Sequence, residues 1–131
     1  MFDRLDHTAL VVSDMERSID FYTGILGFRI IKELDFPGRK LVMIALGEDL
    51  ASKIELIRYD ETDLSNTVPI ERTPLGLRHL AIHVHDVKAV HTALGYAGVE
   101  MLPDPPFQKQ DGPPIAFGKD PDGVLLEFSE L

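Results

Sequence analysis

Cysteine is absent from the 131-residue chain, and its absence restricts the chemistry open to the protein. The chain can form neither disulfides nor the thiolates that serve as nucleophiles and metal ligands. Any bound metal must therefore be held by nitrogen and oxygen, which narrows the candidate ligands to His, Asp and Glu.

Positive charge is in the minority. The 13 Lys and Arg residues are outnumbered by 22 Asp and Glu residues, so the formal net charge is −9. Such a charge repels phosphate backbones, and no run of Lys or Arg forms a basic patch. We expect no nucleic-acid partner.

Long apolar runs are missing too. The start of the chain, Met1–His7, lacks the apolar core of a secretory signal, and no stretch approaches the length of a membrane span. We therefore expect no membrane contact and a cytoplasmic location. The length and the ordinary globular composition, with 44% hydrophobic residues, predict a single domain over residues 1–131.

An internal repeat organises the sequence. Residues 5–14, LDHTALVVSD, align without gaps on residues 77–86, LRHLAIHVHD, at an offset of 72. The same offset places the Glu of KIEL on the Glu of LLEF, so one His and one Glu recur as a pair in each half. Two strand contexts in a single register indicate a duplication. The matched residues are His7, Glu55, His79 and Glu127.

Each half predicts a β-α-β-β-β module. Module 1 covers about residues 1–60 and module 2 about residues 77–131, with a polar, proline-containing linker over about residues 61–76. In module 1 the pattern predicts a helix that Ser13 caps and Gly27 ends, and strands over 5–12, 28–34, 41–46 and 53–59. In module 2 it predicts a helix from Asp86 to about residue 97, strands over 77–84, 99–102, 115–118 and 124–129, and a proline-rich loop over 103–114 that could act as a lid.

Strand geometry directs the repeated residues to one face of each module. Side chains of the same parity share a face, so Leu56 and Phe128 can cover the helices. His7 and Glu55, like His79 and Glu127, then point into a cavity. Two imidazoles and two carboxylates are costly to enclose without a counterion. A divalent cation removes that cost, and a mixed His and carboxylate set suits Zn, Ni, Mn, Fe or Co.

Three segments carry a family resemblance: HTALVVSDMERSIDFYTGILGF, GLRHLAIHV and KDPDGVLLEF. They resemble the vicinal oxygen chelate superfamily and, within it, the bacterial glyoxalase I (lactoylglutathione lyase) branch. The four metal positions of the family fall on His7, Glu55, His79 and Glu127. The resemblance implies an α+β fold, with two tandem βαβββ modules forming an open eight-stranded, cup-shaped sheet around the ion, and a homodimer.

The resemblance also implies a reaction. A divalent-metal-dependent lyase or isomerase of the glyoxalase I type would chelate a small α-hydroxycarbonyl or hemithioacetal substrate through vicinal oxygens. The metal would stabilise the enediolate formed when a proton leaves the carbon next to the carbonyl. Glu127 is the first candidate for the catalytic base and Glu55 the second. Zn or Ni is the expected ion, with Fe, Co and Mn as alternatives.

Two positions depart from the glutathione-binding pattern of this branch. Val11 stands where those enzymes carry an Arg on the first strand, and Tyr59 stands where they carry an Asn. The substrate, and whether glutathione is part of it, therefore stays open.

Two functions of other classes also stay open. One is an Fe(II) extradiol-type dioxygenase, against which Glu55 counts because a fourth protein ligand takes a position that oxygen or substrate needs. The other is a metal-free small-molecule binding protein of the antibiotic or bleomycin resistance kind, which does not need the four ligands.

The remaining histidines and three basic residues are interpreted as lying outside the site. His83 and His85 are interpreted as exposed or hydrogen-bonded strand residues, and His91 as a packed or partly exposed histidine beside the apolar stripe of the second helix. The basic residues interpreted as solvated charge rather than as an anion clamp are Arg58, Arg78 and Lys109.

Overall fold

The computed structural model describes residues 1–67, 69–108 and 112–130 of the chain. The chain forms two compact units, Met1–Asn66 and Thr67–Leu131. The boundary falls inside the predicted linker, so each unit contains one predicted module.

Module 1 contains four strands and one helix. The strands are β1 (Thr8–Val11), β2 (Arg29–Phe36), β3 (Arg39–Leu46) and β4 (Ser52–Tyr59). Helix α1 (Met15–Ile19) continues directly as a π-helical segment over Asp20–Ile25. The strand order in the sheet is β1-β4-β3-β2, with β1 parallel to β4 and the other pairs antiparallel.

Module 2 repeats this arrangement. A short 3-10 helix (Ile70–Arg72) precedes β5 (Leu80–His83), α2 (Val87–Tyr96), β6 (Met101–Gln108), β7 (Pro114–Lys119) and β8 (Leu125–Ser129). The strand order is β5-β8-β7-β6, and β5 is parallel to β8. The predicted α+β class with two βαβββ modules is confirmed, and the eight strands form two four-stranded sheets, one in each module.

The two modules also share one hydrogen-bond register. The amide of Val12 donates to the carbonyl oxygen of Ile57, and the amide of Val84 donates to that of Ser129, both at 2.8 Å. Both residues of the second bond follow those of the first by 72 positions. The duplication seen in the sequence is therefore present in the backbone.

The core of each module lies between the sheet and its helix. Leu56 on β4 is completely buried, and Phe128 on β8 is 2% exposed, as their parity predicts. Burying one such side chain stabilises the fold by about 1.5–3 kcal/mol. Because these residues point to the core, Glu55 and Glu127 are turned to the opposite face of each sheet.

The start of the first helix differs from the prediction. The cap is Asp14, whose side chain accepts a hydrogen bond from the amide of Arg17 at 3.1 Å. Ser13 instead accepts a bond from the Arg17 guanidinium at 2.9 Å. In module 2 the equivalent Asp86 caps α2 by accepting from the amide of Ala89 at 2.9 Å. Both helices thus begin after an aspartate, a preferred capping residue.

The prediction of a loop over residues 103–114 is wrong for most of its length. Strand β6 runs from Met101 to Gln108, and β7 already begins at Pro114. Strand β6 lies at the edge of its sheet, where prolines are tolerated because the outer backbone groups need no ladder partner. Its pairing with β7 shifts register between Leu102 and Phe107. Residues 109–111 lie outside the described residues, and the proposed lid stays a prediction.

No helix in the described ranges is long and apolar enough to cross a membrane.

Candidate metal centre

The first His–Glu pair joins His7, which directly precedes β1, to Glu55 on β4. Ala9 is the register partner of Glu55, and His7 precedes Ala9 by two residues, so its side chain is directed to the same side of the sheet. His7 Nε2 lies 3.7 Å from Glu55 Oε2. The two side chains are 33% and 22% exposed, so the pair is partly open to solvent.

The second pair has the same construction in module 2. Ala81 is the register partner of Glu127, and His79 precedes Ala81 by two residues. His79 Nε2 lies 3.0 Å from Glu127 Oε2, with the two side chains 30% and 14% exposed. The ring of Phe117 packs edge-on against His79, at 5.6 Å between ring centroids. This pair is tighter than the first.

The far side of the His7 ring contacts a carboxylate. Asp6 Oδ2 lies 2.8 Å from His7 Nδ1, and Lys53 Nζ lies 3.0 Å from Asp6 Oδ1. The hydrogen bond with His7, followed by that with Lys53, lowers the pKa of Asp6 to about 2. Asp6 is therefore ionised at neutral pH.

His79 has a different environment on its far side. Its Nδ1 atom is buried and has no hydrogen-bond partner among the residues that the structure describes. Arg78 occupies the position that corresponds to Asp6 at the offset of 72. The two modules thus hold equivalent histidines by different means.

The donor chemistry of both pairs fits a divalent cation. In each pair an imidazole Nε2 and a carboxylate oxygen converge, and a neutral imidazole and a carboxylate both offer lone pairs there. The atoms that converge are those that bind Zn or Ni in proteins. The structure therefore places the four predicted ligands in two His–Glu pairs, one in each module.

A larger group of ligands is not formed in the ranges 1–67, 69–108 and 112–130. There, no three or more His, Cys, Asp or Glu side chains form a cluster that could hold a metal ion. The sharing of one ion by all four predicted ligands stays a prediction.

A cavity of about 100 Å³ lies beside Glu55. Three of its lining side chains are apolar and one is cationic: Leu34, Leu41, Met43 and Lys32. Sequence reasoning did not identify these four residues. Strand pairing could have identified Met43. It is the register partner of Glu55 on β3, so both side chains lie on the same face of the sheet.

Three of the residues interpreted as lying outside the site are histidines: His83, His85 and His91. The rings of His83 and His85 contact each other edge-to-face, with centroids 5.5 Å apart. His91 lies in the middle of α2. Lys109 lies outside the described residues.

The chain is similar to one protein family over nearly its whole length. The model of the Glyoxalase/Bleomycin resistance protein/Dioxygenase superfamily matches residues 4–128. This range includes both His–Glu pairs.

Individual relatives are similar over the same range. Lactoylglutathione lyase of Haemophilus influenzae is 33% identical over 127 residues, covering 95% of this chain and 90% of that protein. Lactoylglutathione lyase of Neisseria meningitidis serogroup A is 31% identical over 129 residues, covering 95% and 88%. The solved structure of glyoxalase I from Zea mays superposes with a TM-score of 0.80 at 26% identity, covering 98% of this chain and 44% of that one.

Proposed function

The chain belongs to the Glyoxalase/Bleomycin resistance protein/Dioxygenase superfamily, and from this premise we propose that it is a divalent-metal-dependent lyase of the glyoxalase I type. One observation carries the proposal: each module presents a His–Glu pair at the same register, with a ring nitrogen close to a carboxylate oxygen. Two relatives that are 31% and 33% identical to the chain are lactoylglutathione lyases. Their activity supports a lyase of the glyoxalase I type.

The proposed metal ligands are His7, Glu55, His79 and Glu127. Four protein ligands leave up to two positions for substrate oxygens in an octahedral site. Zn or Ni is the expected ion, and Fe, Co or Mn would also accept these ligands. When bound, such an ion supplies Lewis-acid polarisation of the substrate carbonyl.

The protein groups supply the proton transfer. We propose that Glu127 removes the proton from the carbon next to the carbonyl and returns it to the adjacent carbon, with Glu55 as the second candidate. At 14% exposure the Glu127 side chain is better shielded from water than Glu55 at 22%. A base shielded from water need not shed a hydration shell before it accepts the proton.

The substrate is proposed to be a small α-hydroxycarbonyl or hemithioacetal. Val11 is 49% exposed and Tyr59 is 37% exposed, and neither provides a charge that could bind the carboxylates of glutathione. The mainly apolar lining of the cavity beside Glu55 supports a substrate with a small apolar substituent. The assay therefore compares substrates that contain glutathione with substrates that lack it.

The test is turnover by metal-loaded protein. Metal-free protein is reconstituted with Zn, Ni, Co, Mn or Fe(II), and the isomerisation of hemithioacetals and of glutathione-free α-hydroxycarbonyl compounds is followed. We expect Glu127→Gln to lower kcat about 10²- to 10⁴-fold, the usual contribution of a general base. We expect His79→Ala to lose bound metal, measured by elemental analysis.

The matched control is His85→Ala, which removes a histidine outside both pairs and should leave metal content and kcat unchanged. Absence of turnover with all five metals would contradict the proposal, as would full metal retention by both Glu55→Gln and His79→Ala. Oxygen uptake with a catechol would indicate the dioxygenase instead. Tight antibiotic binding by metal-free protein would indicate a binding protein.

A further inference from the structure

The backbone around His7 restricts the orientation of its side chain only weakly. It precedes Thr8, the first residue of β1, so no strand pairing fixes the chain at its own position. Its ring is one-third exposed. A ligand in such a place needs another group to hold its ring in one orientation.

Asp6 supplies that group through its contact with His7 Nδ1 at 2.8 Å. An ionised carboxylate can only accept hydrogen bonds, so this contact is favourable only when Nδ1 carries the proton. In a neutral imidazole the lone pair then lies on Nε2, the nitrogen that faces Glu55. Asp6 therefore selects the tautomer whose free nitrogen points to the proposed metal position.

Lys53 fixes Asp6 in turn. Its Nζ lies 3.0 Å from Asp6 Oδ1, and its side chain is 19% exposed. Lys53 is on β4, two residues before Glu55. The chain of contacts from Lys53 through Asp6 to His7 thus connects one member of the pair to the strand that carries the other.

Module 2 lacks this arrangement. At the offset of 72, Arg78 replaces Asp6 and Leu125 replaces Lys53. His79 Nδ1 has no partner in the described part of the chain, and His79 instead packs against Phe117. The carboxylate contact is therefore a specific feature of module 1 and not a consequence of the duplicated fold.

We infer that Asp6 is a positioning residue, which holds the His7 ring in the Nδ1-protonated tautomer so that Nε2 can bind the metal. The inference rests on the proposed metal site. Residues that hydrogen-bond to a metal-bound His typically contribute 10- to 100-fold to metal affinity.

The test compares Asp6→Ala, Asp6→Asn and a matched control. Asp3→Ala removes the same charge from the same terminal segment, where Asp3 contacts the exposed Arg4. We expect Asp6→Ala to weaken Zn binding about tenfold or more, measured by competition with a chromophoric chelator. Asp6→Asn should recover part of the loss because its carbonyl oxygen still accepts from Nδ1, and Asp3→Ala should stay within twofold of the unmodified protein.

A second readout uses metal-free protein. The ¹⁵N shifts of the His7 ring nitrogens at mildly alkaline pH report which nitrogen carries the proton. We expect the Nδ1-protonated form in the unmodified protein and a mixture of tautomers in Asp6→Ala. An unchanged tautomer ratio, or unchanged Zn affinity, in Asp6→Ala would overturn the inference.

The two readouts separate this inference from the proposed function. If the unmodified protein binds no divalent ion, the proposed function fails, whereas the tautomer ratio still tests the effect of Asp6 on His7. If the protein binds Zn and turns over substrate while Asp6→Ala behaves like Asp3→Ala, only the role of Asp6 is wrong.

Discussion

Among single residues, Gly118 on β7 lies where a side chain would be crowded by its neighbours. A Cβ atom there would stand 3.0 Å from Met101 Sδ, 3.3 Å from Val99 Cγ1 and 3.4 Å from a ring carbon of Phe128. These neighbours belong to the core of module 2, next to the strand that carries Glu127. A side chain at Gly118 would thus require these neighbours, behind the second His–Glu pair, to shift by a few tenths of an ångström.

We predict opposite effects for two Gly→Ala substitutions. Gly118→Ala should lower the free energy of unfolding by about 1–3 kcal/mol, the usual cost of overpacking a core. Gly95→Ala, in α2, should raise it by about 0.4–1 kcal/mol, because alanine restricts the unfolded chain and fits a helix. A Cβ at Gly95 meets no atom within 4 Å.

Urea unfolding of the two variants measures both effects. Equal stability of Gly118→Ala and the unmodified protein would show that Met101 and its neighbours give way at little cost.

Among the elements, the two helices begin alike and continue differently. Asp14 and Asp86 cap them at equivalent positions. Helix α1 then widens into a π-helical segment, in which the amide of Leu26 donates to the carbonyl of Phe21 at 3.2 Å. The segment places Tyr22 fully in the core, edge-on to Phe21. The 3.6-residue period alone predicted a regular helix, because it does not distinguish a single wider turn.

The cap of α2 gives a prediction at this level. Asp86→Ala should lower the free energy of unfolding by about 0.5–2 kcal/mol, because the amide of Ala89 loses its acceptor. Asp86→Asn keeps a side-chain oxygen at the cap and should cost at most a few tenths of a kcal/mol. Thermal or urea unfolding compares the two, and identical stabilities would show that the cap contributes nothing.

At the scale of the whole molecule, each module supplies half of the proposed ligand set. The family resemblance implies a homodimer, in which module 1 of one copy and module 2 of the other can provide one pair each. A symmetric dimer would then contain two equivalent sites. If each site were instead formed within one chain, a dimer would also contain two sites. The ratio of metal to protein therefore does not distinguish shared sites from sites within one chain.

Complementation distinguishes them. One variant carries His7→Ala with Glu55→Gln, and the other carries His79→Ala with Glu127→Gln. We predict that each is inactive alone. If the sites are shared between copies, an equimolar, exchanged mixture should regain about a quarter of the full activity. This fraction follows because half of randomly paired dimers are mixed and each mixed dimer restores one of two shared sites.

The control is the same mixture kept under conditions without subunit exchange, in which activity should stay absent. Continued inactivity after verified exchange would show that the ligands of each site come from one chain.

Local pattern and periodicity were sufficient to predict several features of this protein. These include the β-α-β-β-β order, the burial of Leu56 and Phe128, and the recurrence of one His and one Glu at a fixed offset. Alternation along a strand is sufficient for such conclusions, because it assigns each side chain to a face without any knowledge of its neighbours. Membership of the superfamily was also predicted from the sequence alone.

The contacts between individual atoms depend on the folded arrangement of distant segments. The contact of Asp6 with both His7 and Lys53, the cavity residues on β2 and β3, and the extension of β6 through a proline-rich segment depend on partners far away in the chain. Strand pairing and side-chain contacts are set by neighbours from other elements, and these override local propensity. The alternation of side chains along a strand can therefore show that His7 and Glu55 share a face. The distance between them, and the contact of Asp6 with the imidazole of His7, follow only from the folded chain.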